Sequence, residues 1–223
     1  MPTEGRQSET EYEAVDRWDG GVGWLAYPDE MMRRASHALA TEAGVWVVDP
    51  VDAPGVDDLL AEYGDVAGVV VLLNRHYRDA GAFARRHDVP VYVPSWFDRV
   101  DDVDAPLRRF DGRLPDTDYR LVNVFDAFGW EEAALYDDES GTLVVPEAVG
   151  NAPYFTTASE RLGVHPMLRL TPPTALRGLR PERVLVGHGS GVSEDAADAL
   201  DDAIDGSRRR TPRLLVDTLR SMF

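Results

Sequence analysis

Apolar runs and amphipathic stretches alternate along the first half of the chain. Runs rich in valine, leucine and aromatic residues predict strands at 21–27, 45–48, 68–73 and 89–93. Between them, apolar residues at helical spacing predict short helices at 56–63 and 78–87. The run over 68–73 is apolar throughout, which is typical of a strand that is buried on both faces. Strands that alternate with helices in this way predict an α/β fold built in layers.

The segment 28–41 fits two patterns. Met31, Met32, Ala35 and Leu39 fall on one helical stripe, whereas residues 36–41 also suit a strand that leads into a turn. The pattern therefore leaves helix and strand open in this segment.

The second half of the chain has shorter strands and more irregular stretches. Strands are predicted at 119–125, 133–136, 142–145 and 183–186, and turn residues between the first three indicate a meander. The segment 95–117 is rich in aspartate, proline and arginine, and 150–174 contains four prolines, so both predict irregular structure. Two helices complete the pattern: one begins at Ser193 and runs to about residue 204, and a last amphipathic one begins at Thr211-Pro212.

Length and composition set the expected domain organisation. The 223 residues suit a single domain over 17–223, and the acidic residues 1–16 predict a flexible leader rather than a signal peptide. No apolar run approaches the roughly 20 residues that a membrane-spanning helix needs. We therefore expect no membrane partner and a cytoplasmic location.

The charged residues are strongly unbalanced. The chain has 40 acidic and 23 basic residues, a formal charge of −17, and every basic residue is an arginine. A surface this negative repels a phosphate backbone, which excludes a non-specific nucleic-acid partner. In molar salt the Debye length falls to about 3 Å and screens the self-repulsion, so a lysine-free acidic surface indicates a halophilic protein. The chain has no cysteine, which excludes disulfides, thiolate metal ligands and a cysteine nucleophile.

Two polar segments directly follow predicted strands. The first runs from Asn74 to Asp79 and includes His76 and Arg78, and the second is Gly187-His188-Gly189. Loops at the C-terminal ends of strands hold the functional sites of α/β proteins. The alternative is that His76 and Arg78 only cap a helix and pair with Asp79, and that His188 is a surface loop residue.

The order of these features resembles the metallo-β-lactamase fold superfamily. The segments that carry the resemblance are VWVVDP at 45–50, LNRHYRD at 73–79, FDAFG at 125–129, GTLVVPE at 141–147 and VLVGHG at 184–189. The resemblance implies a four-layer αββα sandwich, in which two mixed sheets pack face to face and helices cover the outside. It also implies two adjacent metal sites built from histidine and aspartate. With the acidic composition, it predicts a divergent, haloarchaeal member.

Five positions of the family's metal-binding motifs keep a side chain that can bind a metal. His76 and His188 keep histidine, and Asp79, Asp126 and Glu147 carry a carboxylate. The resemblance therefore implies these five residues as the metal set. We expect this set to bind a single zinc, iron or manganese ion, or no metal.

Two further positions depart from the family. Asn74 stands where the family has its first histidine, and Arg78 stands where it has an aspartate. A guanidinium has no lone pair and stays protonated in proteins, so it cannot bind a metal. We expect Arg78 to neutralise Asp79 and Glu147 in a structural ion-pair cluster, in place of a second metal ion. Asn74 and Tyr77 are expected to line a pocket.

Two functions follow from this mixture of kept and lost ligands. The first is a non-catalytic member, a pseudoenzyme that has lost the dinuclear site and acts as a binding or assembly module for a small-molecule ligand. The alternative is a metal-dependent hydrolase with a mononuclear site, acting on an ester, thioester, lactone or phosphoester. The last apolar helix packs on its own chain or on a second copy, and the pattern leaves a homo-oligomer open.

Overall fold

The structure, a computed structural model, describes residues 12–99 and 103–221. The strands are β1 (Glu13–Trp18), β2 (Gly21–Leu25), β3 (Ala35–Thr41), β4 (Gly44–Val48), β5 (Val66–Val70), β6 (Val91–Pro94), β7 (Leu107–Phe110), β8 (Arg120–Ala127), β9 (Trp130–Asp137), β10 (Thr142–Val145), β11 (Val149–Gly150), β12 (Gly163–Val164) and β13 (Arg183–Val186). The helices are α1 (Val56–Ala61), α2 (Ala80–Arg86) and α3 (Ala196–Ser221). Single 3₁₀ turns lie at Pro166–Leu168 and Thr174–Leu176.

The first sheet contains β1 to β7 in the order of the chain. Strands β1 to β4 pair antiparallel, and β4 to β7 pair parallel. Helices α1 and α2 connect the parallel strands β4, β5 and β6, as a parallel connection requires.

The second sheet has the order β13-β10-β9-β8. Strand β10 pairs parallel with β13 and antiparallel with β9, and β8 and β9 form a long hairpin. A separate two-residue ladder joins β11 to β12, with Val149 opposite Val164.

Alternating side chains along each strand separate three apolar layers. In β4, Val45 and Val47 pack towards α1 and α2, whereas Trp46 and Val48 pack between the two sheets. Helix α3 covers the outer face of the second sheet through residues such as Leu200. The order is helix, sheet, sheet, helix, which confirms the predicted four-layer αββα sandwich.

Several predicted elements differ in the structure. Residues 28–41 contain no helix: the chain turns over 28–34 and then forms β3, which pairs with both β2 and β4. Residues 13–16 of the predicted leader lie in β1, and residues 1–11 lie outside the described residues. The predicted irregular segments contain β7, β12 and the second residue of β11.

The predicted last two helices are one helix, α3, which begins at Ala196 and not at Ser193. Pro212 lies inside α3 and cannot donate the backbone hydrogen bond of its position. In the same turn, Thr211 Oγ1 donates to the Ser207 carbonyl at 2.9 Å. None of the helices in the described residues is long and apolar enough to cross a membrane.

Candidate functional site

Four strands from the two sheets end at one edge of the sandwich. The parallel pairs are β4 with β5 and β10 with β13, and polar residues follow the end of each strand. His76, Glu147 and His188 each place one potential ligand atom there, and these atoms lie within 4.8 Å of one another. The structure thus brings together three of the five residues predicted as a metal set, and we call this trio the centre.

His76 is oriented by a residue that the sequence analysis missed. Its Nδ1 lies 3.1 Å from Oδ2 of Asp49, and Oδ1 of Asp49 accepts a hydrogen bond from the Leu72 amide at 2.9 Å. Both side chains are buried. The carboxylate holds the proton on Nδ1, so the Nε2 lone pair of His76 faces the centre. Asp49 ends the apolar run of β4, and that position was the available sequence signal.

Burial sets the charges of this pair. It lowers the pKa of His76 well below its ordinary value, and the positive charges of Arg78 and Arg75 lower it further. Burial raises the pKa of Asp49 to about 7, against the opposing effect of Arg78. The imidazole of His76 is therefore neutral at physiological pH, the form that can share its lone pair.

His188 owes its position to the glycines on either side. A side chain at Gly187 would meet the Pro146 carbonyl, and Gly189 has a φ of 97°, which favours glycine. The Nδ1 of His188 donates to the Met32 carbonyl at 3.0 Å, which leaves a lone pair on Nε2. That Nε2 is buried and has no hydrogen-bond partner among the described residues. Burial, with neighbouring His76 and Arg78, lowers the pKa of His188 to about 2.

Glu147 is the carboxylate of the centre. Its Oε2 accepts from Arg75 at 3.2 Å and lies 3.6 Å from Nε2 of His76. Its Oε1 lies 3.4 Å from Nε2 of His165. Burial raises the pKa of Glu147, and the positive charges of Arg75 and Arg78 oppose that rise.

A second buried carboxylate holds Glu147 in place. Oε1 of Glu132 accepts from the backbone amides of Glu147 and Ala148, at 2.9 and 2.7 Å, and Oε2 accepts from the Trp130 indole at 2.8 Å. Burial raises the pKa of Glu132 to about 7 despite these three hydrogen bonds. Glu132 lies within β9 directly after Glu131, and the pattern of apolar and polar residues did not indicate that its side chain is buried.

His165 is a further residue that the sequence analysis did not place in the site. Its Nδ1 accepts from the Met167 amide at 3.2 Å, so Nε2 carries the proton that points at Glu147. Rings of Trp130, Tyr154 and Phe155 surround it, with centroids 5.0 to 5.6 Å away. His165 comes from the irregular segment before residue 174, where no periodicity indicated a fixed position.

Arg78 contacts both sheets beside the centre. Its Nη1 donates to the carbonyls of Ala35 and Asp49, at 2.7 and 2.9 Å. Its Nη2 lies 3.3 Å from the Gly187 carbonyl and 3.3 Å from Nε2 of His76. Burial lowers the pKa of Arg78 to about 10, where it still carries its charge. The guanidinium therefore donates to the lone pair that a metal ion on His76 would use.

The predicted ion pair between Arg78 and Asp79 is wrong. Oδ2 of Asp79 accepts from the Asp52 amide at 2.8 Å, at the start of α2, so the carboxylate is engaged away from Arg78. The carboxylates whose charge acts on Arg78 include those of Asp49 and Glu147. Asp49, and not the predicted Asp79, is therefore the buried aspartate that interacts with the charge of Arg78.

Three other predicted site residues lie outside the centre. Asp126 is exposed on β8, opposite Glu131 across the hairpin. Asn74 is buried and bridges the end of β5 to that hairpin, with Nδ2 donating to the Gly129 carbonyl and to Oε2 of Glu131. Tyr77 packs in the apolar layer under α1 and α2 and not in a pocket at the centre.

The donor set fits one metal ion better than two. Two neutral imidazole lone pairs and one carboxylate suit a single zinc, iron or manganese ion. A second ion would need further ligands, and within the described residues the centre has only this trio. The guanidinium of Arg78 also brings a fixed positive charge and a donor onto His76. Within the described residues, the trio therefore offers ligands for one ion.

Comparisons with known proteins identify the fold. No family model matches the sequence, and no curated protein matches it. Among solved structures, DIM-1 metallo-β-lactamase is similar with a TM-score of 0.59 at 11% identity, over 88% of this chain and 98% of its own. The chemotaxis sensor ODP from T. denticola gives 0.58 at 11% identity, over 87% and 93%. Rubredoxin oxygen:oxidoreductase from the anaerobe Desulfovibrio gigas gives 0.61 at 12% identity, over 90% and 62%. The chain has the metallo-β-lactamase fold, as the sequence resemblance predicted.

Proposed function

We propose that this protein uses the metallo-β-lactamase fold as a non-catalytic module that binds a small molecule and has lost the dinuclear metal site. One observation carries the proposal: Nη2 of Arg78 lies 3.3 Å from Nε2 of His76, the lone pair that a metal ion needs. A protonated guanidinium beside Nε2 of His76 makes the binding of a metal cation there unfavourable.

Arg78 also supplies a cross-link that a metal ion would otherwise provide. Its donors reach the backbone of β3 at Ala35 and of β4 at Asp49 in the first sheet, and the end of β13 at Gly187 in the second. One side chain thus ties the two sheets together at the edge where the centre lies. The edge can hold its shape without metal.

The ligand would meet the centre at Arg75. Its side chain is 46% exposed, its guanidinium lies 4.2 Å from the centroid of the Trp130 ring, and it pairs with Glu147. A small molecule with a carboxylate would compete with Glu147 for this guanidinium. A binding role for this fold has a parallel in ODP, which is named a chemotaxis sensor.

The test is metal content together with turnover. The protein is purified in molar salt with zinc, iron and manganese supplied, and each metal is quantified per chain. The same preparation is assayed with ester, thioester, lactone and phosphodiester substrates, with His76→Ala as the matched variant. We expect well under one metal per chain and no turnover above that of His76→Ala. A stoichiometric metal that His76→Ala removes would refute the proposal.

A mononuclear hydrolase is the second candidate, and a specific observation favours it. Nε2 of His188 is a buried acceptor without a partner among the described residues, and such atoms are rare unless an ion or water satisfies them. His76, Glu147 and His188 would hold the ion. When bound, it would supply a water molecule of lowered pKa. Hydrolysis that depends on added metal and on His188 would support this candidate.

A further inference from the structure

We propose that Arg78 and a divalent transition-metal ion compete for the same lone pair of His76, so that the centre is a one-metal site kept closed by its own guanidinium. This inference rests on the proposed function and adds a regulation of the same site. It makes Arg78 the residue that sets metal affinity.

The competition follows from the hydrogen atoms at the centre. Asp49 holds the proton of His76 on Nδ1, and the Met32 carbonyl holds that of His188 on Nδ1. Each imidazole therefore has one lone pair, on Nε2. The lone pair of His188 is free of partners among the described residues, whereas that of His76 accepts from Arg78. A metal ion can bind His76 only after Nη2 of Arg78 has left.

The guanidinium can leave His76 without losing its position in the fold. The two shortest contacts of Arg78, to the carbonyls of Ala35 and Asp49, are made by Nη1. Only Nη2 touches His76 and Gly187, at 3.3 Å in each case. A rotation of the guanidinium about its Nη1 contacts would therefore expose the lone pair of His76.

The backbone holds Arg78 in this place at some cost. Arg78 has a φ of 40°, in the left-handed region that non-glycine residues rarely adopt. It stands immediately before Asp79 and α2, so the strained residue directs its side chain back over the strand ends. Strain of this kind is retained where the surrounding contacts require that conformation.

The test compares metal affinities of charge variants. Chelator-treated protein in molar salt with excess magnesium is titrated with Co²⁺, whose visible absorption reports its coordination, and bound zinc is counted per chain after desalting. Arg78→Met keeps an unbranched, flexible side chain, although a shorter one, and removes its charge and donors. Arg34→Met is the matched control, because Arg34 is a partly exposed arginine that affects His76 only through its charge and pairs with Glu30.

We expect Arg78→Met to bind one Co²⁺ per chain about 10- to 100-fold more tightly than the wild type, the range found when groups around metal ligands are changed. Arg34→Met should bind like the wild type. Adding His188→Ala to Arg78→Met should abolish the gain, which shows that the metal is in the centre and not on the acidic surface.

Three results would overturn the inference. They are no gain in Arg78→Met, an equal gain in Arg34→Met, or a gain that survives His188→Ala. If circular dichroism shows that Arg78→Met is unfolded, Arg78→Gln, which keeps a donor for a carbonyl, is measured against the same three criteria. A wild-type protein isolated with stoichiometric metal would refute the proposed function instead, whereas a failed gain in Arg78→Met leaves that function standing.

Discussion

Glu132 offers the sharpest test of how the buried carboxylates shape this edge. We expect Glu132→Gln to destabilise the fold more at pH 5 than at pH 8. Gln cannot ionise, but its oxygen can still accept from the amides of Glu147 and Ala148. Its amide nitrogen would face the indole N–H of Trp130, where Oε2 now accepts at 2.8 Å.

The magnitude comes from the pKa of Glu132. Burial raises this pKa from 4.5 to about 7, so the folded state binds the proton more tightly than the unfolded state. A raised pKa contributes stability that is fully present below pH 4.5 and is lost as the pH rises through 7. Between pH 5 and pH 8 the wild type should lose about 2 to 3 kcal/mol from this group, at about 1.4 kcal/mol per tenfold change. The Gln variant keeps a constant cost of about 1 to 3 kcal/mol for the lost indole hydrogen bond.

The assay is urea denaturation of both proteins at pH 5 and pH 8 in the same molar salt. Titrating groups distant from Glu132 are common to both proteins and cancel in the difference between them. Asp126→Asn, which replaces an exposed acid on β8, is the control and should change stability by less than about 0.5 kcal/mol at both pH values. Parallel pH profiles for the wild type and Glu132→Gln would show that the raised pKa is wrong.

Three other outcomes are expected. Arg169→Met should lower the free energy of unfolding by about 3 to 5 kcal/mol, because the buried carboxylate of Glu160 loses its ion-pair partner and keeps only Arg210, 3.7 Å away. Adding Glu160→Leu should recover most of that loss. Equal urea midpoints for the single and double variants would contradict this. ¹⁵N NMR should show the His188 imidazole neutral and protonated on Nδ1 down to pH 4, because burial and Arg78 lower its pKa to about 2; a titration near 6.5 would contradict the burial. The free energy of unfolding should rise between 0.2 and 2 M KCl, because salt screens the repulsion within a chain of charge −17; a flat salt profile would remove the physical basis for a halophilic adaptation.

The residues of the centre that the sequence predicted are those whose positions depend on where strands end. His188 follows β13, whose last three residues are apolar, and Glu147 follows β10, which pairs parallel with β13. Parallel neighbours end at one edge, so their next polar residues come together wherever the strands are identified. His76 is placed by the same argument in the first sheet. His76 and His188 were predicted from these strand ends, whereas Glu147 was predicted from the resemblance to the metallo-β-lactamase fold.

Asp79 and Asp126 show why the remaining ligands could not be predicted in this way. Asp79 lies at the start of α2, and the helix direction turns its carboxylate to the Asp52 amide. Asp126 lies within β8, where alternation decides the face, and the irregular register after Asn123 leaves it exposed. An acidic residue in the expected segment therefore reaches the centre only if the local backbone turns its side chain that way. The start of a helix decides this for Asp79, and the strand register decides it for Asp126.

Asp49 and His165 depend on contacts that no local pattern describes. Asp49 has a φ of 44°, a conformation that the apolar run before it does not indicate. His165 is held by the short ladder of β11 and β12 and by buried Arg169, whose Nε donates to the Val164 carbonyl and whose Nη2 pairs with Glu160. That support joins residues of a segment with neither helical nor strand periodicity. Only the folded chain shows that it is fixed.

The absence of lysine matters inside this protein as well as on its surface. At the position of Arg78, burial lowers the guanidinium pKa from 12.5 to about 10, so the charge survives at neutral pH. A lysine begins near 10.4, so the same desolvation would bring its pKa close to neutral pH and remove part of its charge. Its three donors would also have to serve Ala35, Asp49, Gly187 and His76 from one nitrogen, whereas the guanidinium divides them between two. Arginine is therefore the basic side chain that can keep this centre closed by charge and by hydrogen bonds together.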